Sequence, residues 1–247
     1  MQIEQNFIIK ENRRLNYKTF MMRLEGPADM IEKPGQFVNL KVEGKFLRRP
    51  ISVCDYNDSE LTLLYDVVGD GTHIMSEWEA GREVNMLLPL GNGFNVDADC
   101  RNPLLLGGGI GIAPLYRLAK DLLLKGKTPC VILGFNSAKE ISWVEEFKAL
   151  GVETYVATVS GEVGVKGFVT DVEACKSPEK DYFYACGPMP MLKALSLGLD
   201  IPGELSLDER MACGFGVCMC CSLATKDGAK RICKDGPVFT KDELIWK

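Results

Sequence analysis

The residues of this chain best suited to chemistry are cysteines near its C-terminus. Cys213, Cys218 and Cys221 are spaced C-x4-C-x2-C, and Cys233 follows a short polar segment, Ser222 to Ile232. This is the ligand spacing of a plant-type [2Fe–2S] cluster. A two-iron core needs four thiolates converging on a small inorganic centre. Gly214 and Gly216 let the loop wrap it closely, because glycine tolerates backbone conformations that other residues avoid. Amide N–H groups in such a loop can point at the cluster sulfurs and tune their potential. Zinc is the second reading of these cysteines, although structural zinc sites usually show two paired C-x2-4-C knuckles. A disulfide framework is the third. Cys220 fits no ligand slot and reads as a bystander, with substitution for Cys221 as the alternative.

Two stretches nearer the N-terminus suggest a pyrophosphate-bearing cofactor. Arg48-Arg49-Pro50-Ile51-Ser52 places two cations and a hydroxyl at the start of a strand. Arginine grips phosphate bidentately, and Ser52 can hydrogen-bond a ring nitrogen of a cofactor. Gly69-Asp70-Gly71-Thr72 opens a short helix whose free N–H groups suit an anion. Arginines before proline are common on surfaces and G-x-G-T is a common helix entry, so the two carry weight only together. His73, the sole histidine, receives no role.

A third constellation is Gly107-Gly108-Gly109-Ile110-Gly111-Ile112-Ala113-Pro114, directly after a short apolar strand. Such a turn lets phosphates approach the backbone at a helix N-terminus. Pro114 stands where G-x-G-x-x-G has its last glycine. Cys186-Gly187-Pro188 ends a later strand and should lie beside the same crevice; the plain alternative is a buried small hydrophobe. No arginine follows the second strand, in Phe135-Asn136-Ser137-Ala138, which favours NAD over NADP.

The elements that must hold these residues fall into three segments. Residues 1–98 carry strand-like runs at Gln5–Lys10, Tyr17–Leu24, Gln36–Val42, Ile51–Asp55, Leu61–Val68 and Glu83–Pro89, with one helix near Thr72–Trp78. Alternating apolar residues between turn signals predict a small antiparallel barrel. Residues 99–203 alternate strand and helix: Pro103–Leu106, Leu115–Leu124, Cys130–Gly134, Lys139–Leu150, Glu153–Thr158, Tyr182–Ala185 and Pro188–Leu197. That predicts a doubly wound α/β domain with ligands at the strands' carboxyl ends. Residues 204–247 hold the cysteines, with Glu204–Leu207 read as the final strand of the sheet. Some forty-five residues are too few for an independent ferredoxin core, so this module must lean on the rest of the chain or on a partner.

Composition narrows the classes. The chain has 247 residues, 46% hydrophobic and 26% charged, with net charge −5. No basic block invites nucleic acid, and no apolar run approaches the ~20 residues that span a bilayer. Ten cysteines without a secretory leader point to a reducing compartment, read as the cytoplasm.

Taken in order, Arg49–Ser52, Gly107–Pro114 with Cys186–Pro188, and the C-x4-C-x2-C…C tail resemble the ferredoxin–NADP reductase superfamily with a C-terminal [2Fe–2S] module. Within it, the sequence is similar to the electron-transfer subunits of the class 1B dihydroorotate dehydrogenases over essentially its whole length. Leu47–Ser52, Pro89–Phe94, Gly167–Asp171, Glu209–Gly214 and Asp235–Phe239 carry that likeness. The resemblance implies an FAD-binding β-barrel, an NAD-binding α/β domain and a cluster module. It assigns FAD contacts to Arg49, Pro50, Ile51, Ser52, Leu64, Tyr65, Asp66, Gly71 and Thr72. For NAD, Gly107, Gly108, Gly109, Gly111, Pro114, Cys186 and Gly187 are the candidates. Cys213, Cys218, Cys221 and Cys233 would hold the cluster. It also implies an FMN-containing catalytic partner, in a heterotetramer of two of each chain. Electrons from dihydroorotate would pass through that FMN, the cluster and FAD to NAD⁺, in pyrimidine biosynthesis. Asp66 departs from the pattern, placing a carboxylate where a basic residue would help a phosphate. A reductase subunit of a hydrogenase or a ferredoxin:NADP oxidoreductase shares the same motifs, and an iron–sulfur redox sensor is the non-enzymatic alternative.

Overall fold

The computed structural model describes residues 2–246. Six strands come first: β1 (Ile3–Arg14), β2 (Thr19–Glu25), β3 (Phe37–Leu40), β4 (Arg49–Tyr56), β5 (Glu60–Asp66) and, after helix α1 (Asp70–Ser76), β6 (Glu83–Leu90). They close into a barrel in the order β1-β2-β5-β4-β3-β6. Strand side chains point alternately to opposite faces. Phe20, Met22 and Leu24 of β2 therefore fill the interior with Leu61, Leu63 and Tyr65 of β5. The intervening Met21 and Leu64, with Cys54 of β4, form a second apolar patch outside the barrel. The helix expected at Thr72–Trp78 begins earlier, at Asp70. Thr72 Oγ1 accepts hydrogen bonds from the N–H groups of Val68 (3.0 Å) and Gly69 (3.3 Å), closing the first turn there.

The remaining elements are β7 (Leu104–Gly108), α2 (Ala113–Leu124), β8 (Cys130–Phe135), α3 (Val144–Ala149), β9 (Glu153–Thr158), β10 (Val165–Lys166), β11 (Phe183–Cys186), α4 (Met189–Gly198), β12 (Gly203–Ser206), β13 (Ser222–Thr225), β14 (Gly228–Arg231), α5 (Ile232–Asp235) and β15 (Val238–Thr240). A seven-stranded sheet has the order β10-β9-β8-β7-β11-β12-β15. Leu105, Val131 and Leu133 pack on α2 and α3. Leu104, Leu106 and Ile132, on the other face, pack on α4. The sheet is thus covered on both sides, as parallel sheets must be.

Two sequence expectations change. The helix read over Lys139–Leu150 is broken: Trp143 adopts φ 62°, so only a 3₁₀ turn at Ala138–Glu140 and the short α3 form. A bulky residue in the left-handed region cannot continue a right-handed helix. Nor does the sheet end with the strand near Glu204. Beyond the last cysteine the chain returns as β15, pairing antiparallel with β12 (Leu205 opposite Phe239, Ser206 opposite Val238). That return makes the tail dependent on the rest of the chain. Cys221, Ile232, Cys233 and Leu244 share one buried cluster with Leu205, Leu207 and Phe37.

Candidate functional site

A cleft of about 1050 Å³ lies between the barrel and the carboxyl ends of the parallel strands. Arg49, Pro50, Ile51, Ser52, Leu64, Tyr65, Asp66 and Thr72 line its barrel side. Gly108, Gly109, Gly111, Pro114, Cys186 and Gly187 line the other. Sequence-distant motifs therefore meet at one crevice. Gly71 and Gly107 stand behind the lining. A Cβ on Gly71 would overlap the Arg49 guanidinium, and one on Gly107 would strike Ile112.

The alternation of β4 and β5 sorts the barrel residues further. Ser52, Leu64 and Asp66 share the outward parity of Cys54. Ile51 packs against the barrel interior, and Tyr65 lies within it, stacked on Phe20 at 5.8 Å with its hydroxyl donating to Asn12 Oδ1 at 2.9 Å. Arg49 Nη1 donates to the carbonyls of Leu47 (2.5 Å) and Arg48 (3.3 Å) rather than to a carboxylate. A guanidinium has five donors, so its remaining N–H groups suit a phosphate, and the missing side chain of Gly71 gives it room. Thr72, by contrast, spends its hydroxyl on its own turn. Asp66 is neutralised locally: Thr19 Oγ1 donates to its Oδ1 at 2.6 Å and Lys18 Nζ lies 3.1 Å from its Oδ2. The carboxylate that departs from the expected pattern therefore does not confront the cleft as a free charge.

On the sheet side, Cys186 pairs in register with Gly107 across β11 and β7. A Cβ on Gly111 would overlap the Cys186 carbonyl, which explains a glycine there by space alone. Pro114 sits in the first turn of α2, where a missing N–H costs nothing. Burial pushes the Cys186 thiol up to about 12 against a hydrogen bond with Ser206, so it is neutral at physiological pH. Asp208, just beyond β12, also lines the cleft. The surrounding walls, then neighbouring Glu209, raise its carboxyl above the usual range.

Sequence reading missed Lys18, Glu140, Asp208 and Met211 as cleft residues. Position just past a strand end could have flagged Asp208. Lys18 and Glu140 carry no local signal, because their place depends on contacts between distant parts of the chain.

The four cysteines converge as two pairs. Cys213 is hydrogen-bonded with Cys218, and Cys233 with Cys221, whose Sγ accepts the Cys233 N–H at 3.4 Å. Among the described residues no three His, Cys, Asp or Glu side chains are grouped around a single metal position. Two thiol pairs are the donor set of a two-iron core, in which each iron takes two thiolates. Gly214 (φ 80°) and Gly216 (φ 89°) adopt the left-handed backbone that the loop requires. Burial opposes ionisation of Cys213, yet N–H groups of Cys218, Phe215 and Val217 outweigh it and draw the thiol down to about 6. The buried Cys233 is pushed the other way, to about 12, by burial and by Cys221. Arg231 anchors the loop, donating to the Gly216 carbonyl (2.8 Å) while bound to Asp235 (3.0 Å). From the barrel, Asn39 Nδ2 donates to the Cys213 carbonyl at 3.2 Å. Cys220 is exposed, with its Sγ 3.4 Å from the Arg210 carbonyl.

Residues 208–245 match the family model described as the iron-sulfur cluster binding domain of dihydroorotate dehydrogenase B, and residues 105–196 match the oxidoreductase NAD-binding domain. A protein of Fusobacterium nucleatum subsp. nucleatum named dihydroorotate dehydrogenase B (NAD(+)), electron transfer subunit, is 42% identical, covering 99% of each chain. Its namesake from Geobacillus sp. is 45% identical over 88% of this chain and 89% of the relative. The chain belongs to this family of electron transfer subunits. It is thus an oxidoreductase subunit. A chain from a structural study of an NADH-dependent reduced ferredoxin-NADP oxidoreductase superposes with TM-score 0.88 at 31% identity, covering 97% of this chain and 90% of that one. A ferredoxin NADP⁺ reductase from Neisseria gonorrhoeae with bound FAD and NADP shares the fold at 21% identity and TM-score 0.66, covering 78% of this chain and 88% of that one. Among the described residues no helix is long and apolar enough to cross a membrane.

Proposed function

We propose that this chain carries electrons between a dihydroorotate-oxidising, FMN-containing catalytic subunit and NAD⁺, using FAD and a [2Fe–2S] cluster. When bound, these groups join one-electron delivery to hydride exchange with NAD⁺. One observation carries the reading: Asp208 and Met211 line the cleft, and the chain runs from them directly to Cys213. The thiol quartet and the cleft are therefore contiguous within one fold.

The residues divide the work. Arg49, with space left by Gly71, holds the FAD pyrophosphate, while Ser52 and Leu64 on the outer barrel face orient the flavin. Gly108, Gly109 and Gly111 admit the NAD backbone, and Cys186 with Gly187 borders the nicotinamide as a neutral, small surface. Cys213, Cys218, Cys221 and Cys233 hold the cluster. The working division is 1–98 for FAD, 99–203 for NAD and 204–247 for the cluster. We further infer a cytoplasmic heterotetramer of two of each subunit. The ferredoxin:NADP oxidoreductase reading stays second on the strength of the 31% identical neighbour; the higher identity of the dihydroorotate dehydrogenase relatives favours the first.

Co-purification with the candidate catalytic chain, followed by assay of dihydroorotate-dependent NADH formation, tests this. Activity that needs both chains supports it. A complex that transfers electrons from NADH to an artificial acceptor, yet ignores dihydroorotate, moves the partner to another pathway.

A further inference from the structure

Three side chains from two domains converge on one carboxylate at the mouth of the cleft, and a fourth holds the backbone carbonyl of the same residue. Glu140 ends the 3₁₀ turn after β8, and its side chain is only 10% exposed. The β1–β2 turn of the barrel reaches across to it. Lys18 Nζ lies 3.5 Å from Glu140 Oε2 and 3.1 Å from Asp66 Oδ2. Tyr17 Oη donates to Glu140 Oε1 at 3.2 Å, and Asn16 Nδ2 donates to the Glu140 carbonyl at 2.9 Å. From within the α/β domain, Asn136 Nδ2 donates to both carboxylate oxygens at 3.1 and 3.0 Å. Lys18, Asp66, Asn136 and Glu140 all line the cleft.

The domain seam also includes the apolar patch of Met21, Cys54, Leu64 and Ala113, with Asp55 bound to Lys120 at 2.7 Å and to Arg117 at 3.4 Å. Leu64 and Ala113 of that patch line the cleft too, and the contacts on Glu140 add charged and hydrogen-bonded links between its two walls. Asp66 belongs to the wall assigned to flavin. Asn136 follows the strand whose carboxyl end, in such folds, faces the nucleotide. Lys18 therefore spans the two half-sites. The trio Lys18, Asp66 and Glu140 sums to one negative charge, so it does not act as a phosphate clamp. The Glu140 carboxylate is already engaged by three side chains, which leaves it little capacity for a ribose hydroxyl.

We propose that Lys18 is a positioning residue: bridging Asp66 and Glu140, it holds the flavin wall and the nucleotide loop at the separation that hydride transfer requires. The proposal rests on the reading of this cleft as the FAD–NAD site. Misplacement of reacting atoms by about 1 Å costs on the order of a hundredfold in rate, so a loosened clasp should act on the transfer step rather than on flavin retention.

The test is stopped-flow reduction of the FAD-loaded chain by NADH, over a range of NADH concentrations, for Lys18→Met and Lys18→Arg. FAD content and melting temperature are measured alongside. Lys18→Met should retain FAD and lower the limiting reduction rate by about tenfold to a hundredfold, with Lys18→Arg recovering most of it. An unchanged limiting rate in Lys18→Met, whatever its melting temperature, would overturn the proposal. If Lys18→Met does not fold, Glu140→Gln, which removes the charge that Lys18 bridges to, decides the same question by the same readout. Failure of NADH to reduce the unmutated FAD-loaded chain would sink the functional reading instead of the clasp.

Discussion

The cleft and the cysteine loop hold their groups by different means. Cleft residues sit on strand ends or on turns tied to them, fixed by pairings such as Cys186 with Gly107 and Phe37 with Ser52. Between β12 and β13 the cysteine loop has no regular structure, and its positions depend on a few contacts from Arg231, Asn39 and the buried Cys221 and Cys233. The two thiol pairs are unequal as well. Cys221 and Cys233 are 2% and 1% exposed within a shared core, while Cys218 faces solvent and Cys213 is half-buried. A prebuilt cleft should survive loss of its cofactor, whereas an irregular loop should depend on the group it wraps.

The largest expected effect separates the two regions outright. Cys218→Ser should abolish the cluster signal and electron transfer with the partner while NADH still reduces FAD. Cluster absorbance and flavin reduction, read on one sample, check this; loss of both would mean the loop is needed for the fold. Cys221→Ser sharpens the contrast. It should lose the cluster and also lower the melting temperature more than Cys218→Ser, because a hydroxyl would replace a thiol inside the core.

Within the cleft, Arg49→Ala should weaken FAD binding by about tenfold to a hundredfold, the value of a charge-assisted hydrogen bond or two. The cluster absorbance should stay unchanged, and flavin fluorescence titration gives the affinity. Gly111→Ala should cost about 1–3 kcal/mol of stability or a comparable loss of NADH affinity, since its methyl must push back the Cys186 carbonyl. Paired chemical denaturation and NADH titration would show which.

The smallest effect concerns pH. The folded thiol of Cys186 titrates near 12 rather than near its ordinary value of 9.0. The folded state thus binds this proton more tightly than the unfolded state, and the associated stability is present below about 9 and lost as pH rises toward 12. Cys186→Ser should flatten the fall of melting temperature with pH across that window relative to the unmutated chain.

Much of this contrast was legible in the sequence. Alternation in β2 and β5 gave the barrel, the glycine-rich turn before α2 located the crevice, and the cysteine spacing located the loop. Features that depend on distant contacts were not legible. Trp143 breaks a helix whose apolar spacing looked continuous, and only its φ of 62° shows why. The return of β15 beside β12 follows from burying Ile232, Phe239 and Leu244 against Leu205 and Leu207, which no local pattern announces. Lys18 and Glu140 read as ordinary surface charges until the fold sets them 3.5 Å apart.

The most direct test of the central claim, that one chain couples a cysteine-bound two-iron cluster to a flavin cleft, is an absorption spectrum. The chain would be co-expressed with its candidate catalytic partner, purified anaerobically, and recorded before and after dihydroorotate is added. Flavin bands with a broad iron–sulfur shoulder, all bleached by dihydroorotate, are predicted. Absence of the shoulder, with zinc found by metal analysis, would contradict the assignment of the four cysteines.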